Sequence, residues 1–246
     1  NMDQMFFEAK SFTQKICAAT WVNSKASQKD MFIGSAGSIS RTVCLTAPAF
    51  SSTADLKNAV NACLKLSPAG KCSDGPDGAI AQWDVSRMTD MSGILDNAKL
   101  FQGDISKWDV SSAIKMSRMF VRATSFNGDL SKWDVGRATD MAFMFMRATS
   151  FNGDLSKWDV SSVTDMAGMF SETSFNVDIS RWDVSSVTDM TCMFRRAESF
   201  CHDLSRWDVS SVTDMDYMFL NAPLFAHSLC GMFWVNSKAS KVDMFT

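Results

Sequence analysis

Leu155-Ser-Lys-Trp158-Asp-Val160-Ser-Ser162-Val163-Thr-Asp165-Met166-Ala-Gly-Met169-Phe170 decides the fold, because nearly the same residues return along the whole chain. A Trp-Asp-Val tripeptide stands at Trp83, Trp108, Trp133, Trp158, Trp182 and Trp207, each 24 or 25 residues after the last. A fixed period of that length means one supersecondary unit stacked on copies of itself, and a single unit of this size buries too little to fold alone. Whatever the chain does is then done by a surface built from near-identical turns, which favours binding over catalysis.

Two periods appear inside the unit. In Leu155-Ser-Lys-Trp158-Asp-Val160 the apolar residues follow the Leu-x-x-Leu-x-Leu spacing of a leucine-rich-repeat strand, which predicts Trp158 and Val160 inward with Lys157 and Asp159 outward. From Ser162 to Phe170 the apolar positions lie three and four apart, and Ser162 with Asp165 has the form of a capping box with Asp in place of Glu, which predicts a short helix. Ser150-Phe-Asn-Gly-Asp154 then supplies turn residues that send the chain back. Residues 158–181 are one residue short, and the gap falls between Phe170 and Phe175, in a loop. The expected class is an α/β repeat: an LRR-like right-handed solenoid of about six coils, each a short parallel strand plus a short helix, with a helical N-terminal cap.

Outside the regular repeats, Asp55-Leu56-Lys-Asn-Ala-Val60-Asn-Ala-Cys63-Leu64 has helical spacing and leads into a Pro/Gly-rich loop through Gly78, as suits a cap over the first coil. Residues 21–32 recur almost unchanged at 234–245, and each copy has a cysteine four residues ahead of its Trp: Cys17 before Trp21, Cys230 before Trp234. The expected organisation is therefore the end of one array with its cap (1–44), a helical N-cap (45–82), the main array (83–231) and the start of a C-terminal cap (232–246). The equivalent partner of Cys230 would fall beyond Thr246, which predicts an unpaired Cys230 and a chain that is a piece of a longer one.

The composition fits a folded protein: 46% of residues are hydrophobic, and 24 basic against 27 acidic residues leave a net charge of −3. Basic residues are interspersed along the chain, which argues against nucleic acid as a partner. Charges interrupt every turn of the array, so no membrane span is expected in these residues. The seven cysteines are unevenly placed and lack the short paired spacings of a zinc site. Disulfides are expected instead, pairing Cys17 with Cys44, Cys63 with Cys72, and Cys192 with Cys201.

With Trp-Asp-Val-Ser-Ser-Val-Thr-Asp-Met, Met-Phe-x-x-Ala and Ser-Phe-Asn-Gly-Asp-Leu-Ser held in register, the array at 80–230 and the partial unit at 2–17 resemble BspA-family leucine-rich-repeat surface proteins of the mycoplasma lipoprotein type. The version capped by Cys and Trp-Val-Asn-Ser-Lys-Ala-Ser is similar to sets found in algae and other protists. The resemblance implies a solenoid, secretion or surface display, and roles in adhesion or protein association, with no catalytic residues to carry over.

Stacking brings the residues after each Trp into a column, Asp109, Asp134, Asp159, Asp183 and Asp208, and the residues before it into another, Lys107, Lys132, Lys157, Arg181 and Arg206. These ten form the expected partner face. This aspartate column and a further one of Asp104, Asp129, Asp154, Asp178 and Asp203 raise the question of calcium, but Asp in turns and at helix starts ordinarily accepts backbone N–H bonds, and the Lys and Arg two residues away are expected to pair with the Asp109 column, so no metal or cofactor is expected. The two histidines, His202 and His227, sit at positions where sibling units carry other residues, and Ser112-Ala-Ile-Lys115 lies where siblings read Ser-Val-Thr-Asp. No enzyme is expected. The sequence points to a non-catalytic structural or protein-interaction module, extracytoplasmic; the alternatives are a carbohydrate- or calcium-assisted adhesin and a peripheral subunit of a large assembly in an organelle lumen.

Overall fold

The computed structural model describes residues 2–11, 15–16, 24–39, 50–73 and 77–245. The chain divides into two compact units, 1–46 and 47–246.

In the larger unit each 24–25-residue repeat makes one coil, and neighbouring coils are joined by parallel backbone bridges through a single column: Asp90, Lys115, Asp140, Asp165, Asp189, Asp214 and Ser240. Beyond each bridge the backbone divides its hydrogen bonds in an alternating pattern. The amides of Met141, Phe143, Phe145 and Arg147 donate to the carbonyls of Asp165, Ala167, Met169 and Ser171 in the next coil, at 2.6–3.0 Å. Between them the amides of Met144, Met146 and Ala148 close turns onto the carbonyls three residues back in their own coil. Donation to the next coil and turn closure at once need a left-handed residue every fourth position, here Phe143 (φ 57°) and Arg147 (φ 59°), matched by Arg118 and Arg122, Gly168 and Glu172, Cys192 and Arg196, and Tyr217 and Asn221.

This corrects two expectations. Residues 162–170 form no helix, because their amides serve the neighbouring coil instead of their own i→i−4 ladder; the three-and-four spacing of Met166, Met169 and Phe170 is met by consecutive turns that also aim these side chains inward. Residues 155–160 form no strand: Trp158 N donates to Leu155 O (3.0 Å), so Ser156 and Lys157 stand at the tip of a tight turn.

The core lies inside the coils. Every Trp of the array is at most 5% exposed, and the Val two residues later at most 1%. Two phenylalanine columns run beside them: Phe120, Phe145, Phe170, Phe194, Phe219 and Phe245 stack at 5.2–5.8 Å between ring centres, and Phe101, Phe126 and Phe151 at 5.6–5.9 Å. The columns meet within each coil, as in Phe145 on Phe151 at 4.1 Å. Such offset pairs add roughly 0.5–1.5 kcal/mol each beyond area burial. Each indole then ties its coil to the preceding one. Trp108, Trp133, Trp158, Trp182 and Trp207 donate Nε1–H to the carbonyls of Ile80, Ile105, Leu130, Leu155 and Ile179 at 2.9–3.2 Å.

Helix α1 (Thr53–Leu66) covers the first coil. Ser52 caps it by accepting from Asp55 N, and Leu56, Ala59, Val60 and Cys63 are buried. Thr53 Oγ1 donates to Asp90 O (2.6 Å), the carbonyl at the head of the bridge column, and Gln102 N donates to Ala69 O (3.0 Å). A Cys63–Cys72 disulfide fastens the end of the helix to the loop behind it. At the other end α2 (Met232–Asn236) places Trp234 in the position of an array tryptophan, with its Nε1–H donating to Leu204 O at 3.0 Å.

The smaller unit holds a parallel pair, β1 (Lys15–Ile16) with β2 (Ser38–Ile39), and repeats the C-terminal arrangement. Met2, Gln4 and Phe6 donate to Ser27, Lys29 and Met31, as Met215, Tyr217 and Phe219 donate to Ser240, Val242 and Met244. Asp3 Oδ1 accepts from Ser27 Oγ and Lys29 N, as Asp216 Oδ1 accepts from Ser240 Oγ and Val242 N. Phe6 stacks on Phe32 as Phe219 stacks on Phe245. Residues 24–32 and 237–245 therefore do the same work: each accepts the ladder of a preceding coil.

Gly168 gives a direct test of the coil-to-coil fit, because a Cβ there overlaps the Phe143 ring of the coil before it. Gly168→Ala is expected to lower the unfolding free energy by about 1–3 kcal/mol, measured by urea denaturation. Made in a Phe143→Ala background, the same substitution should cost only the smaller backbone penalty of a left-handed alanine.

Candidate functional site

The coil of Trp158 turns three corners on aspartate. Asp154 Oδ1 accepts from Ser156 N (2.9 Å), Asp159 Oδ1 from Ser161 N and Oγ (3.1 and 2.6 Å), and Asp165 Oδ1 from Ala167 N (2.9 Å). A carboxylate accepting the amide two residues on mimics a backbone turn, so an Asp followed two positions later by Ser or another small residue is the mark of a corner. The same bonds recur through the column of Asp104, Asp129, Asp178 and Asp203 and that of Asp109, Asp134, Asp183 and Asp208.

These bonds set the electrostatics. Hydrogen bonds from Ser161 hold the Asp159 carboxyl below the ordinary carboxylate range against slight burial and the Asp183 charge. Ser156 does the same for Asp154, and Ser185 for Asp183. In the half-buried bridge column Asp165 behaves differently. Burial, with the charges of Asp189 and Asp140 in the adjoining coils, pushes Asp165 up despite the bond from Ala167. Burial also pushes Asp90 up, but it is less buried than Asp165, and bonds from Ser92 with the charges of Lys115 and Lys57 hold it below its ordinary value. Lys115 thus stands in the carboxylate column as the cation that separates Asp90 from Asp140.

Folding places the expected partner residues as follows. Lys107, Lys132, Lys157, Arg181 and Arg206 are exposed at the tips of the turns that precede each Trp. Asp109, Asp134, Asp159 and Asp183 are exposed and Asp208 is half-buried. The expected Lys/Arg pairing of the Asp109 column is corrected: serine amides and hydroxyls, and at Asp134 the Gly136 amide, hold these carboxylates, and the described ion pairs lie on a different part of the coil, Arg118 with Asp96 (2.9 Å) and Glu172 with both Arg147 (2.8 Å) and Arg195 (3.4 Å).

The cysteines divide likewise. Cys63–Cys72 is formed, while Cys17 and Cys44 lie outside the described residues. The Cys192–Cys201 pairing is corrected: both thiols are free. Cys192 takes the left-handed position next to the bridge column, whereas Cys201 replaces an Asn of the return turn and bonds through its amide to Asn176 Oδ1 (3.1 Å). They occupy separate turns of one coil. Cys230 is free and exposed. The histidines extend the return turn, His202 Nε2 lying 3.2 Å from Asn176 O and His227 Nε2 2.7 Å from Cys201 O. Among the described residues no group of three His, Cys, Asp or Glu side chains is arranged to hold a metal ion, and no helix is long and apolar enough to cross a membrane.

One gathering of residues was not legible in the linear order. Lys99, Arg122, Arg147 and Arg196, with Thr124, Thr149, Glu172, Thr173, Ser174 and Glu198, line a groove of about 500 Å³ that spans successive coils. The signal lay in the repeat register: Arg122, Arg147 and Arg196 share one position, with Glu172 in the coil between.

The model of the mycoplasma proteins of unknown function termed DUF285 matches residues 1–43, 67–174 and 153–246, which takes in most of both units and the whole of the array. The chain belongs to the DUF285 family. This membership shows a mycoplasma-type repeat protein, and the family match falls on the same residues that form the stacked coils. No curated protein and no solved structure matches the chain.

The opposed aspartate environments give a pH signature. Carboxylates held below their ordinary value add stability that is complete above about pH 4 and drains as pH falls through their folded-state values. Asp165 has the opposite sign: with its value raised, its charge opposes folding at neutral pH, and that penalty fades as pH falls through the raised value. Asp165→Asn keeps the acceptor for Ala167 N and removes the charge, so at pH 7 its melting temperature should rise by a few degrees. Asp159→Asn, which gives up a charge-assisted bond from Ser161, should melt lower than the parent. Thermal scans from pH 3 to 8 check both, and a lower melting temperature for Asp165→Asn at pH 7 contradicts the assignment.

Proposed function

We propose that this DUF285 chain is a non-catalytic, protein-binding solenoid of the LRR-like, right-handed kind, of the BspA surface-protein type and displayed outside the cytoplasm. The observation that carries the reading is the column of exposed cations at Lys107, Lys132, Lys157, Arg181 and Arg206, one per coil, each flanked by a carboxylate already fixed by its own turn. A rigid, evenly spaced row of charges costs a partner little ordering on the protein's side, because each turn beneath it is closed by its own backbone bond and tied to the neighbouring coils by indole bonds. The Cys63–Cys72 disulfide favours an oxidising compartment; an organelle lumen, with the chain as a peripheral subunit of an assembly, is the second setting this disulfide suits. The aspartate columns favour protein contact over calcium-assisted adhesion, since one oxygen of each carboxylate is spent on a serine or glycine amide.

A photo-cross-linking residue at Lys132, presented to an extract of the source organism, is expected to yield one discrete protein adduct. Reversing the neighbouring charges with Lys107→Glu and Lys157→Glu should reduce it at least tenfold without changing the melting temperature. An adduct indifferent to the charge reversal, or none, overturns the assignment of this face.

A further inference from the structure

The groove lined by Lys99, Arg122, Arg147 and Arg196 lies on a different part of the coil from the Lys107 row. We propose that it binds a linear acidic polysaccharide carrying one carboxylate per sugar ring, with the chain of sugars running along the stack of coils. Its first three cations stand on three consecutive coils, and Arg196 two coils further on. Backbones bridged as Asp90, Lys115 and Asp140 are lie about 4.8 Å apart, so Arg122 and Arg147, which share one position of the repeat, are offered one coil apart, with Lys99 two residues further along the repeat in the coil before them and Glu172 at the Arg position in the coil after.

Three features select the ligand. Lys99 and Arg122 are exposed and enter none of the described ion pairs, while Arg147 is oriented by two bonds to Glu172 (2.8 and 3.1 Å) that leave part of its guanidinium free. An anion is thus met by two uncommitted cations and one that is already aimed. An extended acidic peptide repeats its side chains on one face about every 6.6 Å and drifts out of step within two coils, whereas a pyranose ring advances its chain by about one coil spacing. Finally, the groove mixes its cations with the carboxylates of Glu172 and Glu198 and the hydroxyls of Thr124, Thr149 and Ser174. Those acceptors suit sugar hydroxyls and repel a dense polyanion such as nucleic acid.

Titration calorimetry at low salt with polygalacturonate tests this. The parent protein is expected to bind it, to ignore its fully methyl-esterified form, and to bind polyglutamate and single-stranded DNA at least tenfold more weakly. Lys99→Ala and Arg122→Ala, at exposed side chains outside the described ion pairs, should each weaken polygalacturonate about tenfold, whereas Lys132→Ala leaves it unchanged; melting curves confirm that the variants fold. Absence of binding, equal binding of polyglutamate or DNA, or indifference to both groove substitutions overturns the proposal. Since Lys132 belongs to the protein-binding row and not to the groove, either reading can fail alone.

Discussion

The structure depends on the backbone bond from each coil to the next. The amides at Met141, Phe143, Phe145 and Arg147 reach forward to the carbonyls of Asp165, Ala167, Met169 and Ser171, and the same row recurs from coil to coil. Once that row is set, the repeat length is fixed, because an inserted or lost residue must be absorbed where no such bond is made. The one short repeat loses its residue after Glu172, past the last ladder amide. The same row imposes the left-handed residues. Phe143 and Arg147 hold a conformation that side chains disfavour because the bonds on either side require it, and Gly168 relieves it at one coil while making room for the Phe143 ring.

Side chains then reinforce what the backbone sets. The indole of Trp158 reaches back to Leu130 while its own coil's amides reach toward the next, so each coil is tied in both directions. The aspartates close corners. On the bridge column Asp165 is the least comfortable, since the charges of Asp140 and Asp189 flank it at coil spacing, whereas Asp90 has Lys115 and Lys57 beside it.

Much of this was legible in the residues. The Trp-Asp-Val period located the coils, Trp158 and Val160 were rightly placed inward, the helical spacing after Thr53 marked α1, and the recurrence of residues 21–32 at 234–245 identified two segments that accept the same ladder. What misled was periodicity taken as secondary structure. Apolar residues three and four apart at Val163, Met166, Met169 and Phe170 suit a chain of turns as well as a helix, and hydrophobicity cannot say where the amides point. Leu155 and Trp158 both face inward because a turn lies between them, not because they alternate along a strand. The groove at Arg122 and Arg147 was hidden for another reason: basic residues far apart in the chain become neighbours only when the repeats are read down a column.

Register is the central claim, and the stability of deletion variants measures it most directly. Removing residues 133–157 joins Lys132 to Trp158, and every ladder bond and indole bond finds its equivalent in the adjoining coil. Removing residues 133–145 instead leaves Met146 where a tryptophan belongs. Thermal unfolding of the two, followed by circular dichroism, should show a cooperative transition for the first, within about 10 °C of the parent, and none for the second. An unfolded whole-repeat deletion, or a half-repeat deletion that melts as cooperatively as the whole, would contradict the account.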